Sequence, residues 1–157
     1  MRLTQHTDYA LRLLMLLAME PEERHTIEEV ARRHGVSRNH LVKVGQTLAQ
    51  AGFVESVRGR GGGLRLARPP GAINLGAVAR TTEDSFALVD CFDREREGCV
   101  IAPACELRGV LDEALGAFFA VLDRHFLCDL LERPSALRQL RVLLGTPPNP
   151  LRMKRAT

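Results

Sequence analysis

Residues 37–68 read SRNHLVKVGQTLAQAGFVESVRGRGGGLRLAR, and this block sets the fold. Its first part is helical: Ser37 stands as an N-cap, Leu41, Val42, Val44 and Leu48 can pack inward, and Gly52 stops the run after Ala51. The second part alternates, as Phe53-Val54-Glu55-Ser56-Val57 and again as Leu64-Arg65-Leu66-Ala67-Arg68. Between the two lies a tip, Arg58-Gly59-Arg60-Gly61-Gly62-Gly63, that no regular element accommodates. A helix followed by a hairpin with a basic, glycine-rich tip is the pattern of a recognition helix and its wing. Glycines admit close approach of a partner, and Arg58 and Arg60 can reach phosphates or a narrow minor groove. The glycine run is not a nucleotide cradle, because it lacks G-x-x-x-x-G-K-[ST] and no helix follows it.

Upstream, Thr26-Ile27-Glu28-Glu29 has the form of a capping box, starting a short helix over residues 27–34 that Gly35 ends. With the helix over 38–51 this makes helix, tight turn, helix. The second helix offers Ser37, Arg38, Asn39, His40 and Lys43 at its N-terminal end, donors suited to base edges and phosphates in a major groove. Residues 4–19 form an earlier helix, with Tyr9, Ala10, Leu13, Leu14, Leu16, Leu17 and Ala18 returning every three or four positions. Asp8 lies near its start, where the helix dipole favours a carboxylate.

Downstream, Pro69-Pro70-Gly71 leaves the wing and Asn74 caps a helix over 75–82. Three thiols then fall in one loop, CFDREREGCVIAPAC, with Cys91, Cys99 and Cys105 spaced C-x7-C-x5-C. Thiolates this close can share one soft metal centre, while the charged residues and Gly98 between them cannot build a core. After Pro103 the pattern predicts one continuous helix to Leu131, apolar over more of its circumference than one face requires. Its surplus face predicts a homodimer. The fold class is thus mainly α with a small β-hairpin: a winged helix-turn-helix domain (1–82), a cysteine loop (83–105), a long dimerisation helix (106–132), and a short helix with a basic tail (133–157).

The chain of 157 residues, 45% of them hydrophobic, suffices for one ordinary core. No basic-then-apolar leader and no apolar run of membrane-spanning length is present, so the expectation is a cytoplasmic protein without a membrane partner. In that compartment clustered thiols point to metal or redox chemistry rather than disulfides. Net charge is +4 over residues 1–70, −7 over 71–132 and +6 over 133–157. A polyanion would therefore be met by the first segment or the tail and repelled by the middle.

Three parts together, MRLTQHTDYALRLLMLLA at the start, the block from Ser37 and the loop ending CVIAPAC, resemble the iron-sulfur winged-helix transcription regulators, and among them the nitric-oxide-sensing repressors. The likeness spans residues 1–132. It implies a dimeric repressor of double-stranded operator DNA, with an iron-sulfur cluster, 4Fe-4S rather than 2Fe-2S, on Cys91, Cys99 and Cys105. It also implies Asp8, in TDYA, as an oxygen ligand reaching over from the partner subunit, with nitric oxide as the signal that releases DNA. The cluster-biogenesis regulators of the family use a histidine three residues after the last cysteine; here that position is Arg108, which cannot ligate. Cys128 and His125 would stand far along a continuous helix from Cys105, and an exogenous thiol or water remains an alternative to Asp8.

Three other readings share some of these features. A sensor of iron or cluster supply would use the same fold and thiols. A structural zinc on the cysteines would make the protein indifferent to nitric oxide. An electron-transfer protein would exchange electrons through a cluster and lack DNA affinity. No catalytic acid-base pair, nucleophile triad or nucleotide motif marks an enzyme.

Overall fold

The computed structural model describes residues 2–57, 59, 61–89, 92 and 99–145. Eight main elements follow in order: α1 (Gln5–Met19), α2 (Ile27–His34), α3 (Arg38–Gln50), β1 (Val54–Val57), β2 (Gly63–Leu66), α4 (Leu75–Thr82), α5 (Glu106–Asp123) and α6 (Pro134–Leu143). A 3-10 turn, Leu127–Leu131, joins α5 to α6. The mainly helical fold with a winged helix-turn-helix is as the sequence implies.

The core surrounds α1. Leu13, Leu14, Leu16 and Leu17 are all buried, and α1 packs on α3, α4, β2 and the Leu127–Leu131 turn. Truncating any of these leucines to alanine would cost about 2–5 kcal/mol. Thr7 lies in the same interior, where its hydroxyl accepts from Thr82 Oγ1 at 2.8 Å and so ties α1 to α4.

Helix α2 starts at Thr26, whose Oγ1 accepts from Glu29 N at 3.2 Å. Only half of the expected capping box forms. The Glu29 carboxylate turns instead to Arg33 Nη2 at 2.6 Å, with His25 Nδ1 at 3.3 Å, because the guanidinium holds it more strongly than a backbone amide would. Gly35, at φ +63°, ends α2 in the left-handed conformation. Ser37 occupies the N-cap of α3 but makes no side-chain capping bond; Val36 N donating to Ala31 O at 3.0 Å closes the turn.

The hairpin pairs Val54 with Leu66 and Val57 with Gly63, antiparallel. His25 adds a third, single-residue rung that the sequence did not announce, donating to and accepting from Leu64 at 3.0 and 2.8 Å. His25 is 1% exposed, and its ring lies between Glu20 and Glu29, both also held by Arg33. Glu20 Oε2 lies 2.9 Å from Nε2 and Glu29 Oε1 3.3 Å from Nδ1, although neither ring nitrogen is aligned for a hydrogen bond.

The largest departure from the sequence reading lies after Pro103, where the expected continuous helix ends at Asp123. Asn74 Nδ2 donates to Asp123 O at 2.7 Å, Leu75 N donates to His125 O at 2.9 Å, and Leu127 N donates to Ile73 O at 2.8 Å. The start of α4 thereby captures the carbonyls that would have continued α5. Asp129 then accepts from Phe126 N at 2.9 Å and nucleates the new turn, while Leu127 and Leu137 enter the core built on α1. No residue of α5 itself is buried: Leu107 and Val110 are each 61% exposed and Val121 47%.

A Cβ on Gly63 would stand 2.9–3.1 Å from the His25 backbone at the root of the wing. Gly63→Ala is expected to destabilise the protein by about 1 kcal/mol or more, read as a lowered midpoint in chemical denaturation with an unchanged slope.

Candidate functional site

Two surfaces hold described residues on which that chemistry was expected. The first is the outer face of α3. Ser37, Arg38, Asn39, His40 and Lys43 are all exposed, around a helix whose Leu41, Val44 and Leu48 are buried. Arg38 pairs with Glu28 at 2.8 Å, and the His40 ring lies 6.0 Å from that of Tyr9. The uncapped Ser37 hydroxyl leaves a free donor at the helix start. The sequence reading stopped at Lys43, yet Gln46 and Gln50 are exposed as well and continue the row Asn39, Lys43, Gln46, Gln50 at helical spacing. That i, i+4, i+7, i+11 periodicity was the available signal.

Arg58 and Arg60 lie outside the described residues; the neighbouring Gly59 and Gly61 have φ of +95° and +74°, which glycine allows. Two other arginines of the hairpin serve the structure. Arg65 pairs with Glu55 across the strands; Arg68 donates to the carbonyls of Gly52 and Ala51 at 2.9 and 3.2 Å and stands over the Phe53 ring.

The second surface holds Cys99 and Cys105. Cys91 lies outside the described residues; Cys99 is exposed, Cys105 half-buried, and both are free thiols. Cys105 is the N-cap residue of α5 and borders a cavity of about 570 Å³ lined also by Phe86, Phe92, Arg108 and Asp112. Soft sulfur donors beside an open cavity fit a metal cluster. Val100 and Ile101, between the two thiols, are 95% and 65% exposed.

Asp8 lies elsewhere in the chain, in a groove formed by Leu3, Thr4, Tyr9, Arg12, His34 and Val36. Arg12 holds its carboxylate at 2.9 and 2.8 Å, in the first turn of α1. Burial pushes the His34 imidazole below its ordinary pKa, and the Arg12 guanidinium adds to the effect. Glu83, which no motif had singled out, accepts from Thr4 N and Thr4 Oγ1 at 2.7 and 3.0 Å, so the segment leading to the thiols is fastened to the end of α1 that bears Asp8. Asp8 and Cys105 line separate cavities of this chain.

Cys128 belongs to neither surface. The break at Asp123 removes the continuous helix on which its distance from Cys105 had been reckoned, but the separation survives: α5 alone, 18 residues beginning just after Cys105, is about 27 Å long. Cys128 instead borders a smaller cavity with Ala18, Met19 and Leu137, and donates to Asp129 Oδ1 at 3.2 Å. That carboxylate, with some burial, pushes its thiol pKa up.

Glu20, Glu23 and His25 also approach closely enough to hold a metal ion. Arg33 already spans Glu20, however, and carboxylate and imidazole without thiolate are not the donors of an iron-sulfur cluster.

Residues 3–133 match the family model Rrf2, described as iron-dependent transcriptional regulator. The chain belongs to the Rrf2 family. It is 49% identical, over 141 residues covering 89% of this chain and 97% of the relative, to the HTH-type transcriptional regulator NsrR of Bacillus subtilis (strain 168). Among solved structures it is similar to a transcriptional regulator from Listeria innocua (28% identity, TM-score 0.69, covering 85% of this chain and 88% of that one). It is likewise similar to IscR of T. potens (27% identity, TM-score 0.66, covering 84% and 87%). As an Rrf2 regulator the chain is not an enzyme, and among its described residues no helix is long and apolar enough to cross a membrane.

Asp129→Asn keeps an acceptor for Phe126 N but removes the charge beside Cys128. Cys128 is expected to alkylate a few-fold faster at pH 8 in this variant, followed by peptide mass spectrometry at that residue.

Proposed function

We propose that this Rrf2 regulator is a cytoplasmic, dimeric DNA-binding repressor whose iron-sulfur cluster senses nitric oxide. Cys91, Cys99 and Cys105 would hold the cluster, of the 4Fe-4S type, with Asp8 of the partner subunit as its oxygen ligand. The observation that carries the reading is the position of Cys105: it stands at one end of a helix with no buried residue, and the other end of that helix is fastened to the DNA-reading domain. Likeness to proteins named NsrR supports nitric oxide as the signal.

An 18-residue helix with Leu107, Val110 and Val121 in water is unfavourable for a lone chain, and the same helix of a second copy is the natural cover. Dimerisation sets two copies of α3 at a fixed separation, matched to half-sites about 10 base pairs, or a multiple, apart. Ser37, Arg38, Asn39, His40 and Lys43 would read or position the major groove, and Arg58 and Arg60 the neighbouring backbone or minor groove.

When bound, the cluster supplies an iron with one weak oxygen ligand, at which a small diatomic can bind. The chain's own part is played by Asp8 and Arg12. Within one chain the Asp8 carboxylate is already paired, so reaching a partner's thiol loop means sharing or giving up Arg12. Arg12 is then positioned to take the carboxylate back once it is released, which unties one subunit's α1 from the other's loop. A small rotation between subunits costs affinity at both half-sites.

One finding favours a second reading: the family is described as iron-dependent, and IscR is among its structural relatives, so a sensor of iron or cluster supply is the alternative.

An anaerobic nitric-oxide titration of cluster-loaded protein, following visible absorbance and operator binding together, tests the reading. Absorbance should bleach in step with DNA release, and Asp8→Ala should retain the DNA-reading surface while losing that parallel. Unchanged operator affinity on bleaching would overturn the nitric-oxide reading in favour of iron or cluster supply.

A further inference from the structure

Helix α4 lies between the two halves of the molecule, packing on α1 and α3 on one hand and on α5 on the other. Its first residues do two things at once. Asn74 Oδ1 accepts from Ala77 N at 3.0 Å, capping α4, while Asn74 Nδ2 donates to Asp123 O at 2.7 Å and to His125 O at 3.3 Å, closing the end of α5. The N-cap of one helix is thus also a cap for the carbonyl end of the other.

Farther along α4, Arg80 grips the Asp123 carboxylate with both terminal nitrogens, at 2.6 and 2.8 Å. Its guanidinium lies 4.2 Å from the centre of the Phe119 ring, which packs edge-on against Phe86 at 4.6 Å. Gly76 leaves room for this grip. A Cβ there would fall on Asp123 Oδ1 and stand 3.0 Å from its Cγ. Arg80 and Asp123 are each nearly half exposed, so the ion pair contributes little to stability. Its two-pronged geometry, added to the Asn74 bonds, fixes an angle instead.

We propose that Asn74, Arg80 and Asp123 are positioning residues that transmit the state of the thiol-bearing end of α5 to the recognition helix α3. The inference rests on the cluster-sensing function proposed above and names the joint through which it acts. Helix α5 is a lever with Cys105 at its N-cap and this joint at its far end. A displacement at the thiol end passes into α4, and from α4 to α3, only if the joint holds the two helices at one angle. A loosened joint absorbs it.

Asn74→Asp separates the two tasks of Asn74, since a carboxylate still caps α4 but cannot donate to the carbonyls of α5. Asp123→Asn removes the ion pair with an isosteric side chain, Arg80→Gln removes it with a shorter one, and Gly76→Ala displaces Asp123 while leaving both charges in place. For each variant the readout is the ratio of operator affinities of cluster-loaded and nitric-oxide-treated protein, measured anaerobically, with cluster absorbance and thermal midpoint followed in parallel. The ratio is expected to fall by about five-fold or more in Asn74→Asp and Asp123→Asn while absorbance stays that of the wild type. Gly76→Ala should lower it likewise, yet add nothing when combined with Asp123→Ala, because the collision is with that side chain. Variants that lose thermal stability but keep the wild-type ratio would overturn the joint and leave the sensing function standing. A wild-type ratio of one would overturn the sensing function and the joint with it.

Discussion

Helix α1 has very little surface that can face water, and the rest of the structure is arranged to cover it. At 100° per residue its buried positions, from Thr7 and Ala10 through Leu13, Leu14, Leu16 and Leu17 to Met19, sweep about 240° of its circumference. One neighbouring helix cannot cover such an arc. Helices α3 and α4, strand β2 and the turn at Leu127 share the work, and they come from residues up to more than a hundred positions away. Because the hydrophobic gain is collected only when all of them are seated, the recognition helix and its wing are held as one unit with α1. Polar ties then fix the details: Thr7 with Thr82, His6 with Thr47, and Glu83 on the free end of α1.

That arrangement makes α1 both a core element and a surface element. Its C-terminal half is buried over most of its circumference, while its first turns carry Asp8 and Arg12 in an open groove. A carboxylate engaged there acts on a helix that cannot shift without disturbing α3, whose side chains pack against it. In the function proposed above, the buried leucines would convert a local event at Asp8 into a displacement of α3, since a close-packed interior transmits strain rather than absorbing it.

Much of the fold was legible in the sequence because it is written in local signals. Gly35 ends α2 at positive φ, Thr26 and Asn74 cap the helices they precede, and the alternation around the glycine run folds as a hairpin. What was not legible depended on contacts between distant residues. The sequence from Glu106 to Leu131 is apolar at helical spacing throughout, and nothing local says that Asn74 will take the carbonyl of Asp123. Likewise Glu29 satisfies a capping pattern, but His25 and Arg33 compete for it only once the wing root has brought them together. The site divides the same way. The exposed reader residues of α3 follow from helical periodicity, and the thiols from their spacing, whereas Glu83 on Thr4 appears only in three dimensions.

The break in the helix gives the molecule something a continuous helix would lack. Carried through to Leu131, α5 would project its whole length from the reader and meet it only near one end. Stopped at Asp123, it presents a carboxylate and two free carbonyls to α4, and the chain returns to bury Leu127 against α1. Cys105 and the fastened end are thereby separated by a helix of about 27 Å, so that in the joint proposed above a modest displacement at Cys105 would become a rotation about a defined point. Exposure of the helix between those ends follows from the same design, because a lever buried along its length in its own chain could not move independently of the core. The apolar residues along α5 are therefore free to serve a second subunit, and the interaction that ends the helix is also what leaves them available.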